Sequence, residues 1–363
     1  MKKNILVNFL GSKGAGPLYS IEAAKHLIKK DLKVYVLIPE SIENFSDWTK
    51  HGFEIIIVEN YQGLLNKFLL FIKLIFKSEL KKKLCKLEID IIYIPMLGPF
   101  SLFVNNIFKN SLKITTLHDP IPHPRSNKLV NFLNDIVCNN SDYIIVLSKN
   151  FIDYCSNKFK LKQSQIIHLA HPVFDTSKFY NNKEYKFNFN KKFNFMFFGR
   201  IEDYKGIEVF LNSVILLQTN YDNFSISVIG SGNLNKYKHL INKIRNIDIC
   251  NEWIPNDEIE GFFKRKNTIT VLPYTSGTQS GVIPISMLSN SLVISSKIIG
   301  LVDQLNGHGV LFNTNDSNDL SNKMELILQK QINITEITKK AKTYVKTQTW
   351  DKMIDKLLNK IKI

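Results

Sequence analysis

The sequence predicts an α/β protein made of two Rossmann-like units, each a parallel sheet covered by helices on both faces. Three observations carry this expectation. Short apolar runs without polar alternation recur along the chain, as strands buried on both faces require. Helical stretches separate these runs. The series fades near residue 180 and restarts, and 363 residues suit two domains better than one.

In the first half the runs are Ile5–Leu10 (ILVNFL), Val34–Ile38 (VYVLI), Glu54–Val58 (EIIIV), Ile91–Ile94 (IIYI), Ile114–Leu117 (ITTL) and Tyr143–Leu147 (YIIVL). A helix-like stretch from Tyr19 to Lys30 follows the first of them. The opening MKKNILVNFL is basic and then apolar, as a secretory leader is. Its apolar part, about six residues, is shorter than a leader needs and no small-residue cleavage site follows, so it reads as the first buried strand. Residues 1–173 form the expected first domain. Residues 174–192 (FDTSKFYNNKEYKFNFNKK) are polar and rich in Asn and Lys, which marks a linker.

The alternation restarts with Phe193–Phe198 (FNFMFF), Ser225–Ile229 (SISVI), Thr268–Leu272 (TITVL) and Leu292–Ser295 (LVIS), giving an expected second domain over 193–345. The tail, 346–363, closes on Asp351–Ile363 (DKMIDKLLNKIKI), whose apolar residues fall at helical spacing. The default ligand position for two such units is the cleft between them.

A formal net charge of +16 points to an anionic partner: nucleic acid, membrane headgroups or a phosphorylated substrate. The chain is also generally rich in Lys, Asn and Ile, so part of that charge reflects codon usage. An RNP-like aromatic strand, a zinc finger and a basic coiled region are all missing, so no nucleic-acid partner is expected. Cys85, Cys138, Cys155 and Cys250 lie far apart with no CxxC pair, which argues against a disulfide framework and a zinc site and fits a cytoplasmic chain. No run is long and uncharged enough to span a bilayer. Residues 64–86 (LLNKFLLFIKLIFKSELKKKLCK) interleave Leu, Phe and Ile with Lys and end in a basic cluster. Such a helix suits a membrane interface; a core-facing helix with solvated lysines is the competing reading.

Three motifs carry chemistry. Gly11-Ser-Lys-Gly14-Ala15-Gly16 follows the first strand, where glycines let backbone approach an anion at a helix start. Its spacing is neither G-x-G-x-x-G nor the GxxxxGK[ST] phosphate loop, so a tight strand-to-helix turn explains it equally. His118-Asp119-Pro120-Ile121-Pro122-His123 follows another strand, where a histidine can bond a sugar hydroxyl or share a proton with Asp119; a proline-rich turn with solvated histidines is the alternative. Gly199-Arg200-Ile-Glu202-Asp-Tyr-Lys205-Gly206 sets an arginine just past a strand and a lysine five residues on. An arginine fork and a lysine point charge near a helix start make a diphosphate clamp; two surface cations are the plainer reading.

FFGRIEDYKGIEVFL, VIGSGN, LPYTSGTQSGVIPISMLSNSLVISS and GLVDQLNGHGVLF occur in an order and spacing that resemble glycosyltransferase family four. These are retaining enzymes of GT-B architecture, in which two facing Rossmann-like domains flank a cleft and a C-terminal helix crosses back to the first domain. The resemblance covers nearly the whole chain. It implies that Arg200 and Lys205 bind the donor diphosphate, and that Gly14, Ala15 and Gly16 belong to the glycine loop near donor or acceptor. It further implies that His118 contacts the transferred sugar, that Gly199 opens the clamp loop, and that the backbone at Ile254 meets the nucleobase.

Most members carry two glutamates where this chain has Thr278 and Ser286, the first touching sugar and the second gripping ribose. The segment Thr278-Gln279-Ser280-Gly281-Val282 resembles a TQSGV variant of polysaccharide-assembly glycosyltransferases, whose backbone amides from Gln279 to Val282 would cradle oxygens. Together these imply a metal-independent enzyme with no cofactor that uses a nucleotide-diphosphate sugar, with a UDP-sugar favoured by family frequency. A lipid-linked saccharide acceptor at the inner membrane face is implied as well. Two rivals stand beside it. One is a non-catalytic partner subunit of another transferase. The other is an NAD-dependent dehydrogenase, for which Glu40 is a poor, proline-flanked ribose ligand and the glycine spacing is wrong.

Overall fold

The computed structural model describes residues 2–43, 45–59, 79–98, 100–122, 127–174, 191–255, 258–263 and 265–363. Residues 1–170 and 350–363 make one unit, and residues 171–349 the other. Most of the 174–192 linker and residues 64–78 of the basic apolar stretch lie outside the described residues, as does His123. Glu79–Cys85, the described end of that stretch, is a short helix.

The first unit is built on a sheet of β1 (Asn4–Asn8), β2 (Lys33–Pro39), β3 (Glu54–Val58), β4 (Ile91–Ile94), β5 (Leu112–Leu117), β6 (Tyr143–Val146) and β7 (Ile166–His168), in the order β3-β2-β1-β4-β5-β6-β7. The second carries β8 (Phe193–Phe198), β9 (Phe224–Ile229), β10 (Ile247–Cys250), β11 (Thr268–Leu272), β12 (Leu292–Ser296) and β13 (Val310–Phe312), ordered β10-β9-β8-β11-β12-β13. Every pairing in both sheets is parallel. Both are therefore Rossmann-like, and each reverses its strand order once: between β1 and β4, and between β8 and β11.

The lack of alternation in the sequence has its cause here. Ile5, Leu6 and Val7 are all fully buried, and every residue of β8 is buried, because helices cover both faces. β7, β10 and β13 went unread in the sequence. Each is an edge strand of three or four residues, and burial alternates along β10 because one face reaches solvent. Their apolar runs are too short to stand out from a helix or a loop.

The first helix starts at Ala15 rather than Tyr19 and runs to Leu27, with a 3-10 turn over Ile28–Lys30. Gly16 and Pro17 look like loop residues, yet proline in a first helical turn removes only an amide that lacks an intrahelical partner anyway. The final helix, Trp350–Lys360, belongs to the first unit, and its Trp350, Met353, Ile354, Leu357 and Leu358 are buried. It packs on the first helix through Tyr19, whose ring meets Trp350 edge-on at 4.8 Å between centroids. His26 Nδ1 lies 2.6 Å from Asp351 Oδ1, and Lys30 Nζ 2.7 Å from Asp355 Oδ1, along the rim of the same contact.

This contact makes the C-terminal helix structural for the first unit. Truncating Trp350 to alanine should cost about 3–5 kcal/mol of stability, read as a lower urea midpoint. A variant that unfolds like the wild type would show that the helix contributes little there.

Candidate functional site

In open parallel sheets, ligands gather at the carboxyl ends of strands beside the point where strand order reverses. In the second unit that point lies between β8 and β11, and two loops leave it: Gly199–Gly206 after β8 and Pro273–Gly281 after β11. They are fastened to each other by backbone, since Thr275 N–H donates to Tyr204 O at 2.8 Å. Gly206 has φ of 68°, and a Cβ there would overlap the Pro273 carbonyl oxygen. No other residue allows that approach without moving β11's exit. The helix Ile207–Leu217 begins directly beyond it.

The two expected clamp cations have different surroundings. The Arg200 guanidinium is 59% exposed, forms an ion pair with Glu202 at 2.9 Å, and lies 3.5 Å from Tyr204 Oη. Lys205 ends the 3-10 turn Asp203–Lys205. Its ammonium donates to Tyr274 Oη at 2.5 Å and lies 3.9 Å from the Tyr274 ring centroid and 5.2 Å from that of Tyr204. Tyr274 is fully buried and its hydroxyl lies 3.0 Å from Ser280 Oγ. Burial pushes the Tyr274 phenol up to about 12, against smaller opposing effects of Ser280 and Arg200. The phenol therefore stays neutral at any working pH.

Ser280 is itself held from three sides. Its N–H donates to Gln304 Oε1 at 2.9 Å, Gln304 Nε2 donates back to Ser280 O at 2.8 Å, and Val282 N–H donates to Ser280 Oγ at 3.3 Å. Two of the four amides expected to cradle an external oxygen, those of Ser280 and Val282, are thus committed inside the protein. Those of Gln279 and Gly281 have no acceptor among the described residues. The Gln279 Oε1 and Ser276 Oγ atoms are buried without a hydrogen-bond partner in the same loop. A buried polar atom left unpaired is costly, so these are the loop's open valences. Thr278 is buried, and Gly300 sits so close to its carbonyl oxygen that any Cβ would overlap it.

Ser286 stands deeper. It is fully buried in the helix Val282–Leu288, donates to Val282 O at 2.8 Å and lies 3.0 Å from Thr270 Oγ1 on β11. Its hydroxyl is spent in the core. The Ile254 side chain, after β10, is also a core residue, packed with Met196, Phe198, Ile229 and Phe263. Only its backbone can meet a base. Its neighbour Trp253 is 46% exposed.

In the first unit, His118 follows β5, one strand removed from the β1–β4 reversal. Its Nε2 lies 2.9 Å from Pro95 O, so the neutral ring carries its proton there and leaves Nδ1 as the acceptor. Tyr19 packs edge-on against the ring at 4.7 Å. Gly14, Ala15 and Gly16 open the first helix after β1. Gly14 N–H is already bonded to Glu43 Oε2 at 3.2 Å. Gly16 is demanded by packing, because a Cβ there would lie 2.7 Å from the Phe9 ring and 3.0 Å from Met96 Sδ. The sequence motif thus has a purely structural component, as its irregular spacing allowed. Tyr274, Gln304, Glu202 and Glu43 went unread as site residues. Only the tertiary structure places them, since none stands in a spacing that signals chemistry.

Among the described residues no three of His, Cys, Asp and Glu converge as metal ligands. Likewise no helix there is long and apolar enough to cross a membrane.

Residues 192–330 match the model of a family described as glycosyl transferases group 1. No match was found among curated proteins. Solved structures share the fold across the chain. A glycosyltransferase from Rickettsia africae ESF-5 aligns with a TM-score of 0.70 at 16% identity, over 99% of this chain and 97% of its own. Anabaena Alr3699/HepE, solved with UDP and glucose, aligns with 0.71 at 15% identity, over 98% of this chain and 99% of its own. A sucrose-phosphate synthase from Thermosynechococcus elongatus aligns with 0.71 at 14% identity, over 99% of each chain. At such identities the likeness shows the fold, two parallel-sheet Rossmann-like domains as in GT-B glycosyltransferases.

His118 sets a pH dependence. Burial lowers its pKa from the ordinary 6.5, while the Pro95 carbonyl and Asp119 act in the opposite direction. Below about 6.5 the unfolded chain takes up a proton that the folded one refuses, so stability is full above that pH and falls as pH drops toward the folded value. His118→Gln should flatten the fall in urea midpoint between about pH 7 and 5. An unchanged slope would place the titration elsewhere.

Proposed function

We propose, from the match of residues 192–330 to the glycosyl transferases group 1 model, that the chain is a retaining glycosyltransferase. It moves a sugar from a nucleotide-diphosphate donor, a UDP-sugar for preference, to a lipid-linked or saccharide acceptor in bacterial surface polysaccharide biosynthesis. The single observation that supports this most is the half-buried Lys205 ammonium, fixed by Tyr274 beside the β8–β11 reversal, where an anionic ligand is expected. Anabaena Alr3699/HepE, whose structures hold UDP with glucose and UDP-glucose, supports the choice of base.

In this reading the donor diphosphate lies against Lys205 and the open amides of Gln279 and Gly281, with the base near the Ile254 backbone. Arg200 releases Glu202 to join the phosphates, its planar fork suiting their oxygens. The acceptor hydroxyl attacks the anomeric carbon on the leaving-group face. The bond from that carbon to the diphosphate oxygen breaks with its electron pair going to the diphosphate, and that oxygen takes the acceptor's proton. Fixed cations stabilise the charge that develops on the leaving group. No protein carboxylate acts as nucleophile, in contrast to a retaining glycosidase, and no metal is required. His118 is the residue that the resemblance of the sequence assigns to the transferred sugar. A lipid-linked acceptor would bring the protein to the inner face of the membrane, with the basic apolar stretch of residues 64–86 as contact.

Calorimetric titration with UDP, GDP, ADP, CDP and NAD tests this. One nucleoside diphosphate should bind, and Lys205→Ala should weaken it by about tenfold or more, the scale of one charge-assisted phosphate contact. A folded protein that binds none of them would instead be a partner subunit of another transferase. Selective NAD binding would make it a dehydrogenase.

A further inference from the structure

We propose that Tyr274 is a positioning residue for the donor diphosphate: its phenol fixes the Lys205 ammonium and joins it to the Thr278–Val282 turn, so that cation and turn meet the ligand as one preformed unit. The inference rests on Lys205 being the diphosphate cation.

The geometry lets the phenol serve both neighbours at once. An ammonium has only donors, so Tyr274 Oη accepts from Lys205 at 2.5 Å, and it lies 3.0 Å from Ser280 Oγ, where either hydroxyl can be the donor. The tyrosine ring is buried, packed in a core with Ile283, Met287, Leu301 and Leu305. It follows β11 after one residue, Pro273, which the Gly206 turn abuts. Ser280 is clamped by Gln304 through both its amide and its carbonyl. The result is a chain of contacts from a rigid sheet exit to a flexible lysine at one end and a loop at the other.

The choice of a phenol has a physical reason. A carboxylate would hold Lys205 equally well but cancel its charge, as Glu202 does for Arg200 at 2.9 Å. A buried phenol that remains protonated holds the ammonium without itself adding a negative charge beside it. Immobilising the lysine in advance also removes the ordering cost that binding would otherwise bear.

The test is a double-mutant cycle read by calorimetry, using whichever of UDP, GDP, ADP or CDP binds the wild-type chain. Tyr274→Phe keeps the ring and removes only the oxygen. It should raise the Kd for the diphosphate by about 5- to 20-fold, with the matching nucleoside monophosphate affected less. Lys205→Ala should raise it further, and the double variant should be no weaker than Lys205→Ala alone. Thermal unfolding of Tyr274→Phe should stay within a few degrees of wild type. If Tyr274→Phe does not fold, Ser280→Ala, which removes the phenol's hydrogen-bond partner in the turn, should weaken binding in the same direction. Unchanged affinity in the variant that folds, with Lys205→Ala still weakened, overturns the role of Tyr274 alone. Additive effects do the same. Binding of a diphosphate that is indifferent to Lys205→Ala, or no binding by the wild type, overturns the clamp assignment and this inference together.

Discussion

Within each sheet all strands run the same way, and both faces are closed by helices. Backbone polar groups inside such a layer are consumed by the ladders and its side chains by packing, as the fully buried stretches of β1 and β8 show. Chemistry can therefore appear only where strands stop. Where strand order reverses, neighbouring crossovers leave to opposite faces and the strand ends stay uncovered. The clamp loop after β8 and the turn after β11 both occupy that place, as does the glycine turn after β1 in the other unit. The functional reading depends on this constraint more than on any single residue.

Within the second unit, rigidity is passed from the sheet to the loops by contacts that leave no slack. Gly206 against the Pro273 carbonyl and Gly300 against that of Thr278 bring backbone to backbone where a side chain would not fit. The Thr275–Tyr204 hydrogen bond fastens the two loops laterally. Against this stiff frame the two cations differ. Arg200 is exposed and paired with a carboxylate, which a ligand must displace, whereas Lys205 is held by a neutral group.

Several residues with a chemical look also have architectural duties. Ser286 gives its hydroxyl to the helix and to Thr270, and the Ile254 side chain fills the core beside Phe263. Gly16 makes room for Phe9, and Gly14 already gives its amide to Glu43. The TQSGV turn likewise spends half of its expected amides internally. Short polar motifs at strand ends must close helices and turns before they can hold a ligand, and pattern alone does not separate the two duties.

Local apolarity and order along the chain were enough to read the two-unit parallel architecture and the strands from Ile5 to Ser295, the edge strand β3 among them. These features follow from burial on both faces, which writes itself into consecutive residues. The edge strands β7, β10 and β13 were not legible, because β7 and β13 have three residues each and burial alternates along the four of β10. Tyr274, Gln304 and Glu43 were not legible either. Lys205 and Tyr274 are 69 positions apart, and Ser280 and Gln304 are 24 apart. Their meeting is fixed by strand order and crossover length. Sequence by itself determined which residues could carry charge at the ends of strands; only the tertiary structure decided which neighbours hold that charge in place, because those neighbours are brought together by the sheet and not by the chain.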